Sequence, residues 1–220
     1  MRPVVLYAGP YSAASSNGLV TSVTPTTGTL LTLVTNTVDT TPRRIIVTPA
    51  SQTNAGTLTV TGTTWGGQTA TEVMTVPPSS TAVVTSALDY LTIAAILPGG
   101  GPWSAAITVG TQNSTLVGSS AWFRWDDFAN AVGNIAVNVS GTFSYSVQHS
   151  NDDPDLVLPR TAVAPYLMTW FNDPNFTSLT TSAMNAITAR PLWSKLTCLS
   201  YSSTGNGSAT ISQSGGKLGG

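Results

Sequence analysis

The sequence is short of charge. Aspartate, glutamate, lysine and arginine together make up 8% of its 220 residues, with a net charge of −1, where an ordinary globular domain carries roughly 25%. No basic stripe is present to hold phosphates, so nucleic acid is not an expected partner. There is one cysteine, Cys198, which excludes an intrachain disulfide framework and a cysteine-built zinc site. There is one histidine, His149. No run approaches roughly 18 consecutive apolar residues, so no membrane-spanning helix is expected. The opening MRPVVLYAGPYSAASS breaks its short apolar run at Gly9 and Pro10, and no secretory leader is expected from it. Neither GxGxxG nor GxxxxGK[ST] occurs between a strand and a helix, and GxSxG is missing altogether. The N-x-[ST] triplets headed by Asn113, Asn138, Asn175 and Asn206 are what chance supplies in a chain so rich in hydroxyls.

What is there is apolar residues, 41% of the chain, interleaved with threonine and serine in period two. GTLTVTG (Gly56 to Gly62) sets Leu58 and Val60 on one face and Thr57, Thr59 and Thr61 on the other. TATEVMTV places Glu72 and Met74 opposite Thr71, Val73 and Thr75, and Pro77-Pro78 ends it. Trp65-Gly66-Gly67 between the two reads as a tight reversal. RRIIVT, TAVVTS, YLTIAAI, SAAITVGT, AWFRW, NIAVNVSG, SKLTCLSY and GSATISQS supply further short strands. PGGGP (Pro98 to Pro102) reads as a loop, and Thr181 to Thr188 as a short helix. Such strands, bounded every 8–12 residues by Gly, Pro, Asn or Ser, signal a sandwich or barrel. The expectation is an all-β protein of two β-sandwich modules, Ig-like or jelly-roll-like. The expected divisions are an extended N-terminal arm at 1–27, module 1 at 28–116, and module 2 at 117–220 with a long irregular loop at 156–191.

Candidate chemistry is sparse. GTFSYSVQHSNDDPD brings His149 close to Asp152, Asp153 and Asp155. Three readings compete: a strand running into an Asx-Pro turn, a hard-cation site built from the three aspartates, or an acid/base site. Turn chemistry favours the first. The D-x-[DN]-x-[DN]-G spacing of a calcium loop is absent, and no second group is recognisable as a positioned partner for the histidine. Asp126 and Asp127, with Trp103, Trp122, Trp125, Trp170 and Trp193, raise the thought of sugar chemistry; capped turns and core packing account for them more simply. Cys198 reads as a buried inert thiol. No catalytic residue and no cofactor are expected. Trp65 at the hairpin tip and the pair Arg43 and Arg44 are the partner-binding candidates, the arginines alternatively forming a salt bridge. A β protein with so little charge has few means of guarding its edges and faces, so much of its surface is expected to lie against neighbours.

The residues also carry a resemblance. GTLTVTGTTWGGQTATEVMTVP, then TAVVTSALDYLTIAAI and SAAITVGT, resembles the small β-sandwich module common in virion proteins of tailed bacteriophages. NIAVNVSGTFSYSVQHSNDDPD, TWFNDPNF and SATISQSGG resembles the module found beside it. Together they span about residues 28–216, and the family's Asp-containing hairpin tip is replaced here by Thr64-Trp65-Gly66-Gly67. The resemblance implies a non-enzymatic virion component, made in the host cytoplasm. It would be a head decoration or cement protein that binds major capsid protein or other virion proteins as a homo-oligomer, for instance a trimer. A tail component (adaptor, tube or baseplate subunit) and a carbohydrate- or receptor-binding module are the alternatives.

Overall fold

The computed structural model describes residues 4–79, 81–125, 133–154, 164–187, 191–202 and 206–213, the last segment in its backbone beyond Gly207. The chain is all-β, with every sheet antiparallel, and divides into two units: Tyr11–Val117, and Met1–Pro10 together with Gly118–Gly220.

Along the chain lie β1 (Val4–Ala8), β2 (Val20–Val23), β3 (Ile46–Pro49), β4 (Gly56–Thr63), β5 (Thr69–Val76), β6 (Val84–Thr85), β7 (Thr92–Gly100) and β8 (Ile107–Gly110). They are followed by β9 (Gly118–Ser119), β10 (Phe123–Arg124), β11 (Gly133–Ser140), β12 (Phe143–Ser150), β13 (Phe171–Asn172), β14 (Ala183–Ile187), β15 (Trp193–Tyr201) and β16 (Asn206–Gln213). Among the described residues the only helical pieces are two 3-10 turns, Trp65–Gly67 and Pro165–Leu167. No described helix is long and apolar enough to cross a membrane.

In the Tyr11–Val117 unit one sheet runs β2-β8-β3-β6 and the other β5-β4-β7. The period-two pattern decides which side of each strand is buried. Leu58 and Val60 of β4 and Glu72 and Met74 of β5 turn inward, while Thr69, Thr71, Val73 and Thr75 turn out. Gly66 and Gly67 take φ of 73° and 75°, which glycine adopts without a Cβ clash, and so close the hairpin. Gly62 serves close approach instead: a Cβ there would stand 2.1 Å from the Thr92 carbonyl oxygen, at the point where the β4–β7 register shifts.

In the other unit one sheet runs β1-β16-β11-β14 and the second β10-β15-β12-β13, with β9 also on β15. Ile135, Val137, Phe143, Tyr145, Val147, Leu196 and Cys198 are buried. Alternation accounts for Ile135 and Val137 along β11, whereas β15 is buried on both sides from Ser194 to Cys198.

Three local expectations are overturned. Residues 183–187 are strand, not helix, because β14 pairs along β11 from Val137↔Ala183 to Gly133↔Ile187; sheet pairing overrides a local sequence that only tolerates helix. Pro98, Gly99 and Gly100 belong to β7 rather than to a loop, and pair with Leu58, Thr57 and Gly56. Pro98 is admissible there because its carbonyl accepts from Gly28 at 2.8 Å and no amide is called for. Residues 1–27, expected as an arm, contain β1, paired with β16, and β2, paired with β8; Leu6, Ala8, Tyr11, Leu19 and Val20 are buried.

Candidate functional site

In Tyr11–Val117 the few charges are inside. Every charged residue of Tyr11–Val117, namely Asp39, Arg43, Arg44, Glu72 and Asp89, is buried, and Arg43 is only 1% exposed. Among all the described residues, Arg124 is the one charged side chain classed as exposed. An isolated ion costs several kcal/mol to bury, so each must be compensated where it sits.

Arg43 and Asp39 form one compensated group. Arg43 Nη1 donates to Asp39 Oδ2 at 3.0 Å and to the Ser12 carbonyl at 2.9 Å, and Nη2 donates to the Gln112 carbonyl. Its guanidinium also lies over the Tyr11 ring, 5.5 Å from the centroid. Asp39 further accepts from the Ser12 amide and hydroxyl, both at 2.8 Å, and from the Thr40 amide at 2.7 Å. Burial alone would raise its pKa, but these donors together with Arg43 hold it below the usual value.

Arg44, Asp89 and Glu72 form the second group. Arg44 Nε stands 3.5 Å from Asp89 Oδ1, and Nη1 donates to the Ser86 carbonyl. With Asp39 matched to Arg43 and Asp89 to Arg44, Glu72 is the carboxyl left over. Its Oε2 accepts from the Ala87 and Leu88 amides at 2.9 and 3.1 Å, and the same side chain meets the Tyr90 hydroxyl. Burial pushes the Glu72 pKa to about 7, against the pull of the two amides and Arg44. Burial, then the neighbouring Glu72 and Asp89, raise that of Tyr90. Arg43 and Arg44, expected as partner contacts, are thus withdrawn from the surface into internal ion pairs, which is the salt-bridge alternative. Trp65 sits half-buried on the 3-10 turn of the hairpin tip.

In the second unit His149 ends β12 and does have partners, which the sequence did not reveal. Its Nδ1 lies 2.7 Å from Ser194 Oγ and its Nε2 lies 3.0 Å from Asp173 Oδ2. Trp125 Nε1 donates to the same Ser194 Oγ at 2.6 Å. The neutral imidazole with its proton on Nε2 satisfies the whole chain in one direction: Trp125 to Ser194, Ser194 to His149, His149 to Asp173. Serine, histidine and aspartate in sequence suggest a nucleophile with its base, but Ser194 has no exposed surface, and its oxygen already accepts the indole N–H. A reacting carbonyl has no approach to that oxygen. The geometry suits a junction instead. It ties Trp125, at the end of β10, to β12, to β15 and to the turn after β13. That turn lies along β12 through Asp173 N to Val147 O at 2.9 Å, and Phe176 is buried beneath it.

Asp152 accepts from the Thr169 amide, and Asp153 lies 3.7 Å from Arg124; Asp155, Asp126 and Asp127 fall outside the described residues. Among the described residues no group of three His, Cys, Asp or Glu side chains gathers to hold a metal ion. The tryptophans divide by environment. Trp125 is buried. Trp103 packs where a Gly56 Cβ would otherwise stand. Trp122 makes edge contacts with Trp170 and Trp193 at 5.2 and 6.3 Å, and the buried Lys195 ammonium lies 3.9 Å from the Trp170 centroid.

No family model, no curated protein and no solved structure matches the chain.

Proposed function

We propose that this chain is a bacteriophage virion structural protein, a head decoration or cement protein that stabilises the shell by binding major capsid protein. In this reading its two units are β-sandwich modules, Ig-like or jelly-roll-like, and it works as a homo-oligomer, without cofactor or catalysis. The observation that carries the proposal is the inverted charge distribution: Tyr11–Val117 turns no charged side chain to solvent. Free proteins rely on surface charge for solubility and to keep apart from one another. A protein covered by neighbours has no such need, and a charged residue in a dry contact would cost desolvation. The resemblance of the threonine-rich hairpin and of NIAVNVSGTFSYSVQHSNDDPD to phage virion modules supplies the setting.

The test is the copy number per particle, read from a stained gel of purified virions against the major capsid protein. A decoration protein appears in hundreds of copies. A handful of copies moves the chain to the tail, and its absence from purified particles overturns the virion reading. Removing 1–27 is not a usable probe of docking, because it strips β1 from β16 and β2 from β8.

A further inference from the structure

The sheet β5-β4-β7 treats its two edges differently. The outer side of β7 is covered by the chain itself: Gly28 and Leu31 donate to Pro98 and Ile96, and Ile93 donates to Asn36. Along β5, among the described residues, no backbone bond runs to anything but β4. The phase of the ladder shows which groups are left open. Thr64 N donates to Gln68 O at 2.8 Å, so Thr64 and Gln68 are a hydrogen-bonded pair. Alternation then directs the backbone groups of Ala70, Glu72 and Met74 toward β4, and those of Thr69, Thr71, Val73 and Thr75 outward. The same four residues carry the exposed side chains, with Val73 at 45%. Free edges are ordinarily blunted by lysine, proline, bulges or inward charges. β5 has no lysine, no internal proline and no register shift against β4; its one such device is the inward carboxyl of Glu72.

We propose that the occupant of this edge is β5 of a second copy, paired antiparallel about a twofold axis to make a continuous sheet β7-β4-β5-β5-β4-β7. Only registers that set odd-numbered residues against odd-numbered residues join the outward groups. The register that joins all four outward residues sets Glu72 opposite Glu72, two buried carboxyls side by side, and these oppose pairing once ionised. The next sets Val73 against Val73 and Thr71 against Thr75 in both directions. This gives roughly six interchain N–H···O bonds, with Glu72 facing Met74. Val73, the exposed apolar residue of the strand, then packs on its own copy. The flanking threonine pairs match the Thr61–Thr71 hydroxyl pair already present within the sheet at 3.1 Å. Glu72 thus selects the register without blocking the edge, since the Ala87 and Leu88 amides already compensate its inward carboxyl. The pairing is self-complementary, so it closes at two copies and forms no fibre. It holds whether or not the chain belongs to a virion.

The test is sedimentation of the full chain across the micromolar range, beside Val73→Lys. The wild type is expected to form a dimer on concentration. Val73→Lys is expected to remain monomeric, with unchanged far-UV circular dichroism and, at concentrations where both proteins are monomers, the wild-type melting temperature, because its lysine stands on an exposed position. Cysteine substitutions check the register, the native Cys198 thiol being buried. Val73→Cys is expected to cross-link to itself on mild oxidation, since bonded antiparallel partners have Cα atoms about 5.5 Å apart, within disulfide reach. Thr71→Cys, which faces Thr75, is expected not to. A wild type that stays monomeric, a Val73→Lys variant that still associates, or equal cross-linking from both cysteines overturns the proposal.

Discussion

Glu72 makes the stability of Tyr11–Val117 fall as the pH rises from acid to neutral, the reverse of what a salt-bridged carboxylate does. Its pKa is about 7 in the folded protein against 4.5 when unperturbed. A group whose folded pKa is raised favours folding fully below its unfolded value and loses that contribution as the pH climbs through the folded one. The window is therefore pH 4.5 to 7. At about 1.4 kcal/mol per pH unit the swing is about 3 kcal/mol. Glu72→Gln removes it. The amide oxygen still accepts from Ala87 and Leu88, and the uncharged amide nitrogen takes the place of Oε1. Urea titrations of both proteins at pH 5 and pH 8 measure the effect as a difference between them, so titrations elsewhere in the chain cancel. The two proteins should be near equal in stability at pH 5, and the variant should be more stable by about 3 kcal/mol at pH 8. A stability difference that does not change between the two pH values would refute the assignment of Glu72 as the unmatched buried carboxyl.

Ser194→Ala leaves the Trp125 indole N–H and His149 Nδ1 without their shared partner, and should cost about 1–3 kcal/mol in a denaturant titration. Because Ser194 is a junction, pairing that change with Asp173→Asn in a double-mutant cycle should reveal coupling of about 0.5–3 kcal/mol, where independent sites would add. Arg43→Met strands Asp39 in the interior and should destabilise by about 3–5 kcal/mol, whereas replacing Arg43 and Asp39 together by apolar residues should cost much less; thermal melts of the three variants check the order.

Much of the fold was legible because alternation leaves a mark on the sequence. β4, β5, β11 and β12 could be read from Leu58/Val60, Glu72/Met74, Ile135/Val137 and Phe143/Tyr145, and the hairpin tip from its two glycines. Residues 183–187 could not: Ala and Met favour helix locally, and pairing along β11 overrides them. The β1 pairing was hidden for a related reason, since its partner β16 lies at the other end of the sequence. His149 was placed as a strand end, as found, but Asp173 and Ser194 are 24 and 45 residues away and carry no local signal. The burial of Arg43, Arg44 and Glu72 was equally hidden. A side chain's solvent access belongs to the assembled sheets, and the residues that neutralise it, such as the Ala87, Leu88 and Gln112 backbones, are chosen by tertiary geometry alone.

The uncharged exterior of Tyr11–Val117 has a consequence for how tightly it grips whatever it touches. Salt weakens contacts by screening charges that face solvent, with a reach of about 10 Å at 0.1 M; Tyr11–Val117 offers it none to screen. A joint made through that exterior relies on backbone bonds, threonine hydroxyls and apolar contact, so a brine wash that strips electrostatically held proteins should leave it in place, while urea should release it.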